Sequence, residues 1–359
     1  MEAAQMIESA ASPPCPACGA HPLGLLCDPE RMRELGRRAQ AFHAARLRSR
    51  RREELEERAS FTQEDEASLL ACDGCGLLLR WPRPSPDAMV RTYAEDQVPE
   101  ERLAEMIASQ VSLYRRQVPV LRRLLGAGAP RVVEVGSFVG GFLEVARTAG
   151  WQALGVDPNR QLAESCRARG LDVIEATLED VAGPETAGSA DAVAIWNTFD
   201  QLADPKPVLA ASARLVRAGG ILALRVPHGV AFRALHALLD RAHGARRRFL
   251  EACLAWNNLL SFPYLHGYGI ASLERIVPGY GFRRVRVRGD VLGVLSGRAT
   301  RGFARAEERG VKRLQTGWIA LQTRDPQSAL PAAPWLDLYY RRTDAQPASV
   351  QSESRTVAS

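Results

Sequence analysis

Between residues 131 and 227, short apolar segments alternate with segments that have the periodicity of helices. This alternation is decisive for the fold, because strands joined by helices at this pitch form a parallel sheet whose two faces are covered. We therefore predict an α/β, doubly wound fold. Its strands are expected at 132–135, 153–156, 173–175, 192–196 and 221–226, and its helices at 142–149, 161–169 and 207–216.

The alternation becomes less regular after Pro227. A helical stretch at 231–254 precedes an aromatic segment at 262–268, and a helix at 270–276 and a strand at 282–287 then resume the pattern. Two segments, 318–321 and 335–340, compete for the last strand. We favour 335–340 because two tyrosines, which have high β propensity, follow an apolar pair.

Composition and prolines divide the 359 residues into several parts. Residues 1–14 are small and polar and predict a disordered N-terminus, and the Ser-rich residues 343–359 predict a disordered tail. Prolines between 82 and 86 end the first module. The predicted domains are a module at 15–85 with a charged helical insertion at 29–58, a helical cap or linker at 86–130 that Pro119 interrupts, and a main domain at 131–342 with a substrate-side insertion at 228–270.

A glycine-rich turn follows the first strand of the main domain. Ligands of open parallel sheets bind outside the carboxyl ends of the strands, and Gly136, Gly140 and Gly141 let the backbone turn sharply and approach a ligand closely. Asp157 ends the next strand, where a carboxylate can accept hydrogen bonds from both hydroxyls of a ribose. We expect a ligand that contains a ribose.

The turn differs from that of dinucleotide-binding proteins, because the pattern G-x-G-x-x-G is absent. Glu134 instead lies inside the strand, two residues before Gly136. This arrangement resembles the class I S-adenosylmethionine (SAM)-dependent methyltransferases, whose first motif reads acidic-x-Gly-x-Gly-x-Gly. Glu134, Gly136 and Gly140 match this motif, and Phe138 stands in place of its middle glycine.

The resemblance extends from about residue 101 to residue 287. Asp157 matches the ribose-binding acid of the family, and 176–180 resembles the segment that flanks adenine, with Thr177 where Asp is usual. Residues 195–205 resemble the stretch after the fourth strand, and 215–222 resembles the turn "L-x-P-G-G-x-L". The resemblance implies SAM as cofactor and a cofactor site that comprises Glu134, Gly136, Ser137, Phe138, Gly140, Asp157, Pro158, Thr177, Leu178 and Asn197.

Two C-x2-C-G motifs flank the charged insertion of the first module. Two residues between cysteines let both sulfurs bind one tetrahedral zinc ion, and four thiolates leave no position for a reacting water. We therefore predict a structural zinc site formed by Cys15, Cys18, Cys72 and Cys75. The other cysteines, Cys27, Cys166 and Cys253, are interpreted as buried residues, and His21 as solvated.

A zinc ribbon before such a domain resembles certain sugar-modifying methyltransferases of bacterial secondary metabolism, and also some that act on ribosomal RNA. The combined prediction is an α/β protein with a doubly wound, Rossmann-like SAM-dependent methyltransferase sheet and a small N-terminal zinc-binding domain. The cytoplasm is the expected compartment, because Glu2 and Glu8 stand where a secretory signal has positive charge. No membrane partner is expected, since uninterrupted apolar runs of about 18 residues are absent.

Arginine clusters keep a nucleic-acid partner open as an alternative. The net charge is +6, and arginines cluster at Arg48 and 50–52, at 246–248, and at 283–288. Such clusters can neutralise phosphates. Glutamates follow the first cluster directly, however, and this mixture of charges is typical of a solvated helix face.

Methyl transfer requires mainly that donor and acceptor are held in alignment, and a base is needed only for an acceptor that loses a proton. His266 is the predicted general base, because an imidazole can take a proton near neutral pH. Asn197, Asp200 and Tyr264 are the other candidate catalytic residues. A structural role for each is the alternative: His266 bonded to backbone, Asp200 as a helix cap and Tyr264 packed under a lid.

Three functions follow from these features. The first is a SAM-dependent methyltransferase that acts on a small molecule, either a sugar nucleotide or a natural product. The second is an RNA methyltransferase that uses the zinc module and the arginines to hold phosphates. The third is a non-catalytic protein with the SAM and zinc folds, which the departures at Phe138 and Thr177 favour.

Overall fold

The structure is a computed structural model that describes residues 12–48, 67–262, 264–323 and 330–343. The predicted disorder at both termini lies almost entirely outside these residues, as does the second part of the charged insertion. No helix within the described ranges is both long and apolar enough to cross a bilayer.

A small antiparallel sheet begins the fold. Its first strands are β1 (Gly24–Cys27), β2 (Ser68–Ala71) and β3 (Leu78–Trp81), in that order across the sheet. Helix α1 (Pro29–Ala44) follows β1, and its first turn is capped by Asp28, whose carboxylate accepts a hydrogen bond from the backbone N–H of Arg31 at 2.7 Å. The first part of the predicted charged insertion is therefore a single amphipathic helix.

Two helices connect this sheet to the main one. Helix α2 (Pro86–Glu95) begins with a proline at its first turn, a position that needs no N–H donor. Helix α3 (Glu100–Leu125) continues through Pro119, so the predicted break at this proline is wrong. Only one intrahelical hydrogen bond depends on the missing N–H, and buried Tyr114 and Leu121 on either side of the proline hold the helix on the core.

The series predicted between 131 and 227 is confirmed, with element ends that differ by a few residues at most positions. Strand β8 differs most, because it begins five residues earlier and includes the Gly219-Gly220 turn. The elements are β4 (Arg131–Val135), α4 (Gly141–Thr148), β5 (Gln152–Asp157), α5 (Arg160–Ala168), β6 (Asp172–Glu175), α6 (Leu178–Val181), β7 (Ala190–Trp196), α7 (Lys206–Leu215) and β8 (Val216–Pro227).

The remaining elements complete both sheets. They are α8 (Gly229–Asp240), α9 (Gly244–Ala255), β9 (His266–Gly267), α10 (Ile270–Ile276), β10 (Phe282–Asp290), α11 (Gly302–Gln322) and β11 (Trp335–Arg342). The last strand is the favoured segment 335–340. The competing segment 318–321 lies in α11, a helix that the sequence analysis missed because we weighed part of it as a strand.

The main sheet has the order β10-β11-β8-β7-β4-β5-β6. Strands β8 to β6 are parallel, and β11 inserts antiparallel between β8 and β10. Successive residues of its strands pack into different clusters: Val133 and Val135 lie in one, and Val132 lies in another on the opposite face. Both faces are therefore buried, as the doubly wound prediction requires.

Strand β9, from the predicted substrate-side insertion, joins the small sheet beside β3. Arg80 of β3 strengthens this junction: its backbone N–H donates to the carbonyl of Leu265 at 2.9 Å, and its buried guanidinium donates to the carbonyl of Phe262 at 2.7 Å. The boundary near residue 85 stays a prediction. The segments on its two sides share one sheet.

Behind the main sheet, the fully buried Arg225 of β8 pairs with two carboxylates. Its guanidinium lies 2.5 Å from Asp337 of β11 and 3.1 Å from Asp290 of β10. Removal of one member of a buried ion pair leaves an uncompensated charge and commonly costs about 3–5 kcal/mol. We expect Asp337→Ala to lower the free energy of unfolding by about that amount in urea denaturation.

The control for this prediction is Arg217→Ala, which removes a more exposed ion pair with Asp191. Exposed pairs contribute only about 0–1 kcal/mol. Equal losses in the two variants would contradict a special role for the buried pair.

Candidate functional site

A cavity of about 610 Å³ opens at the carboxyl ends of β4, β5 and β7. This is the edge at which open parallel sheets bind ligands. Seven of the ten predicted cofactor residues line it: Gly136, Phe138, Asp157, Pro158, Thr177, Leu178 and Asn197. The other three, Glu134, Ser137 and Gly140, lie in the adjoining strand and loop without lining the cavity.

The loop after β4 depends on Gly136 and on an unusual conformation of Phe138. Gly136 has φ of +69°, and a Cβ there would lie 2.4 Å from the hydroxyl of Thr198, so only glycine fits. Phe138 has φ of +49°, which is strained for a bulky residue. Phe138 thus adopts the left-handed backbone that the family's middle glycine would allow, and its ring joins the cavity wall.

Asp157 connects this loop to the end of β5. One carboxylate oxygen accepts the backbone N–H of Phe138 at 2.7 Å, and the other accepts that of Asn159 at 2.9 Å. Burial raises the pKa of Asp157 even though both N–H groups favour the charged form. Each oxygen keeps a lone pair. The side chain can therefore also accept hydrogen bonds from ribose hydroxyls.

Glu134 lies beneath the loop with 1% of its surface exposed. Its Oε2 has no hydrogen-bond partner among the described residues. Burial, and secondly the nearby charge of Asp157, raise the pKa of Glu134 well above its ordinary value. A buried polar atom without a partner is the feature expected where a bound group completes the site.

The raised pKa of Glu134 makes stability depend on pH. The protonated carboxyl contributes stability that is present below the ordinary pKa and is lost as pH rises through the folded-state pKa. We expect Glu134→Gln to remove this loss, so that its melting temperature falls less than that of the wild type between pH 5 and 8. Each pKa unit corresponds to about 1.4 kcal/mol, or a few degrees of melting temperature.

Differential scanning calorimetry across this pH range, without SAM, checks the prediction. The exposed Glu175 of β6 provides a matched variant, Glu175→Gln, that should keep the wild-type pH dependence. Parallel curves for wild type and Glu134→Gln would contradict the buried-acid assignment.

Thr177 and Asn197 line the cavity on either side of the strand ends. Thr177 begins α6, where its hydroxyl donates to Asp180 at 2.6 Å. Asn197 has φ of +57°, and its side-chain oxygen has no partner among the described residues. Asn197 thus lines the cavity wall in a left-handed conformation while its side-chain oxygen is buried.

The structure places two of the four candidate catalytic residues on the cavity wall, Asn197 and Tyr264. The hydroxyl of Tyr264 lies 3.5 Å from the side-chain nitrogen of Asn258. Desolvation, and secondly the charge of Asp200, raise the pKa of Tyr264. Its hydroxyl consequently stays protonated near neutral pH and acts as a hydrogen-bonding group.

The other two candidates, His266 and Asp200, are buried and do not line the cavity. The Nε2 atom of His266 lies 2.9 Å from the guanidinium of Arg83, and its ring stacks on Tyr268. Burial, and then Arg83, lower the pKa of His266 to about 3. Burial also raises the pKa of Asp200 well above its ordinary value. Neither side chain is placed to touch a ligand in the cavity.

Sequence reasoning missed several residues of the wall. Helix α2 contributes Tyr93, whose hydroxyl donates to the side-chain oxygen of Gln201 at 2.7 Å. Asn258 follows α9 in a left-handed conformation, which asparagine adopts readily after a helix. The only sequence signal for these residues was that Tyr93 is aromatic and lies in the predicted helical cap or linker. Met89, Val90 and Leu202 are further side chains of this wall.

The four predicted zinc ligands lie together. The sulfur atoms of Cys15, Cys18, Cys72 and Cys75 are all within 4.8 Å of one another. The Cys15–Cys75 and Cys18–Cys72 sulfur distances are 3.6 and 3.5 Å. A tetrahedral zinc with bonds of about 2.3 Å would hold its sulfurs roughly 3.8 Å apart, so the residues fit the ion.

The remaining cysteines lie outside this cluster. Cys166 and Cys253 are buried as interpreted, whereas Cys27 is only partly buried. His21 is exposed, and its Nε2 lies 2.7 Å from the carbonyl of Ser12. The described residues therefore offer a ligand set of cysteines alone.

Several known proteins are similar to this chain in sequence or in structure. A C-methyltransferase, NovU of Streptomyces niveus, is 36% identical over 100 residues, which cover 27% of this chain and 24% of that protein. This chain thus spans about a quarter of that relative's length. Among solved structures, a Burkholderia thailandensis 1,6-didemethyltoxoflavin-N1-methyltransferase is 12% identical, covers 78% of this chain and 97% of its own, and has a TM-score of 0.44.

A SAM-dependent methyltransferase from Thermotoga maritima is 15% identical, with coverage of 71% of this chain and 100% of its own and a TM-score of 0.42. At sequence level, the family described as "Methyltransferase domain" matches residues 102–287. This match covers nearly all of α3, the loop after β4, Asp157 and the strands from β4 to β9. It spans more than half of the chain. The chain therefore belongs to the methyltransferase domain family.

Proposed function

We propose that this enzyme transfers a methyl group from SAM to a small molecule, either a sugar nucleotide or a natural product, that binds in the same cavity. The observation that carries the proposal is the continuity of that cavity. It extends from Gly136 and Asp157 to Tyr264 and Asn258 in the insertion. Its volume of about 610 Å³ lies in the range of small-molecule sites, about 300–1,000 Å³.

In this proposal SAM supplies the activated methyl group, and the chain positions both partners. Asp157 would hold the ribose, Thr177 and Leu178 would flank the adenine, and Asn197 would line the wall beside the ligand. Tyr93 and Tyr264 would exclude water and orient the acceptor. Correct alignment by itself can supply about 7–11 kcal/mol of a reaction barrier.

A general base is not part of the proposed mechanism. The tyrosines on the wall have raised pKa values and stay protonated. A catalytic role for His266 stays a prediction, and its contact with Arg83 supports a different role, in which it holds β9 against the first module. This reasoning favours an acceptor that needs no strong base.

We further propose that the four cysteines hold a structural zinc ion. The fit of the sulfur distances supports this, and a closed shell of four thiolates gives the ion no catalytic position. The expected reduced thiols are consistent with the cytoplasmic compartment, which stays a prediction.

The other two hypotheses have less support. Arginines at 246–248 and 283–288 lie on α9 and on the edge strand β10, away from the cavity wall, and charge on an edge strand also prevents pairing with other chains. The departures at Phe138 and Thr177 leave the cavity open. Neither RNA methylation nor a non-catalytic role is favoured by a specific contact.

Label transfer tests the proposed function. Zinc-loaded protein with methyl-labelled SAM is incubated with either the small-molecule or the RNA fraction of a cell extract. We expect calorimetry to detect SAM binding, and we expect label in the small-molecule fraction only. Label in RNA would contradict the small-molecule acceptor. SAM binding without transfer to either fraction would favour the non-catalytic alternative, and no SAM binding by folded protein would end the proposal.

A further inference from the structure

The cavity has a second end, between α2 and the segment after α9. We call this end the acceptor chamber. Its apolar wall carries two polar pairs, Tyr93 with Gln201 and Asn258 with Tyr264. The apolar residues of the chamber are Pro86, Met89, Val90, Leu202, Ala203 and Val208.

No lysine, arginine or histidine is among the described residues that line the cavity. The charged residues of its wall are all acidic: Asp96, Asp157, Glu179 and Asp204. Proteins that recognise phosphate use arginine, lysine or free backbone N–H groups. The side chains of this cavity therefore offer no positive partner for a phosphate.

Several backbone N–H groups at the cavity are also occupied by oxygens of the chain. Asp157 accepts those of Phe138 and Asn159, as described above. Asp204 accepts the N–H of Lys206 at the start of α7, at 3.0 Å. The side-chain oxygen of Gln110 accepts the N–H of Gly141 at the start of α4, at 3.1 Å. The N–H groups at the start of a helix often bind anions, but at α4 and α7 these N–H groups donate to oxygens of the chain itself.

The nearby basic residues face elsewhere. Arg83 contacts His266 and interacts with the charge of Asp204 but does not itself line the cavity, and Arg160 pairs with Glu164 on the surface of α5. Lys206 is exposed at the start of α7, beside the acidic Asp204. A phosphate that entered the chamber would lose its water and find carboxylates, and no cation, among the described residues of the wall.

From these observations we infer that the methyl acceptor is a mainly apolar ring compound that carries no phosphate. The inference rests on the proposed function and deepens it, because it selects the natural-product class over the sugar nucleotide. The apolar wall would bind the ring. The two polar pairs would orient the group that receives the methyl.

Two probes that differ only by a phosphate test this inference. Protein loaded with zinc and saturated with S-adenosylhomocysteine is titrated by calorimetry with 1-naphthol and with 1-naphthyl phosphate. We expect 1-naphthol to bind at least tenfold more tightly. Met89→Ala should weaken 1-naphthol binding about fivefold, because the side chain lines the chamber. Leu238→Ala, a matched truncation at an exposed position outside the cavity, should change nothing.

A second variant adds the missing charge. Val90 is 40% exposed and lines the chamber, so Val90→Arg should fold and should raise the affinity for 1-naphthyl phosphate at least tenfold. Val294→Arg, at an exposed valine outside the cavity, is the control and should have no effect.

Two results would overturn the inference. In the first, the wild type binds 1-naphthyl phosphate as tightly as 1-naphthol, and Met89→Ala weakens the binding of both compounds. In the second, the protein saturated with S-adenosylhomocysteine does not bind 1-naphthol. Failure of the wild type to bind S-adenosylhomocysteine at all would instead contradict the proposed function. The two failures are thereby distinguished.

Discussion

Cys75→Ser should abolish zinc binding and weaken the acceptor chamber while the cofactor end of the cavity stays intact. We expect zinc content after dialysis to fall from about one ion per chain to about none, because structural zinc contributes about 10–16 kcal/mol only through a complete ligand set. Affinity for 1-naphthol should fall at least tenfold. Affinity for S-adenosylhomocysteine should change less than about threefold.

The physical reason is the connection between the cysteine cluster and the chamber. Cys72 and Cys75 lie in the turn between β2 and β3, and β3 pairs with β9. Arg80 of β3 also donates to the carbonyl of Phe262, close in sequence to Tyr264 on the chamber wall. Loss of the ion would make this turn more mobile. The contacts of β3 with β9 and with Phe262 would transmit that mobility to the chamber wall.

Cys27→Ser is the matched control for this experiment. Cys27 lies in β1 of the same small sheet but outside the cluster. It should keep both the zinc and the affinity for 1-naphthol. Full zinc content in Cys75→Ser, or an unchanged chamber in zinc-free protein, would contradict the proposed structural zinc.

Asp157→Ala should reduce SAM affinity about a hundredfold or more. The carboxylate holds the N–H groups of Phe138 and Asn159, and it is proposed to accept the ribose hydroxyls. Hydrogen bonds to a charged group contribute about 1.5–3 kcal/mol each, and about 1.4 kcal/mol corresponds to a factor of ten in affinity. Loss of the carboxylate also releases the strained Phe138 from its anchor.

Calorimetric titration with SAM checks this prediction. Glu179→Gln is the control, because Glu179 lines the same cavity but is exposed, and its variant should bind SAM within about threefold of the wild type. The raised pKa of Asp157 adds a pH dependence: SAM affinity should fall as pH drops through that pKa, because only the ionised carboxylate accepts both hydroxyls. A pH-independent affinity in the acidic range would contradict the ribose assignment.

Local patterns accounted for much of the fold and for many residues of the cavity at the strand ends. The parallel strands from β4 to β8 were predictable because apolar runs and helical periodicity act over a few residues. Gly136 and Asp157 were predictable because ligands of this sheet type bind at strand ends. The meeting of the two cysteine pairs was predictable because their spacing is typical of motifs that bind one tetrahedral metal ion.

Other features had no local signal. The length of β9 is two residues, and it forms by pairing with β3, nearly 190 residues earlier in the chain. Helix α3 continued through Pro119 because packing on the core outweighed a single lost hydrogen bond. His266 attracted attention as an imidazole among aromatic residues, yet its burial and its contact with Arg83 depend on that long-range pairing.

The sequence by itself determined the sheet, the turn after β4 and the cluster of four cysteines, since each depends on residues close together in the chain or on repeated motifs. Tertiary structure decided which side chains form the acceptor chamber. Met89 and Tyr93 of α2 meet Asn258 and Tyr264 only after the two halves of the chain pack together. The charge and shape around the acceptor thus arise from long-range packing, which no local pattern encodes.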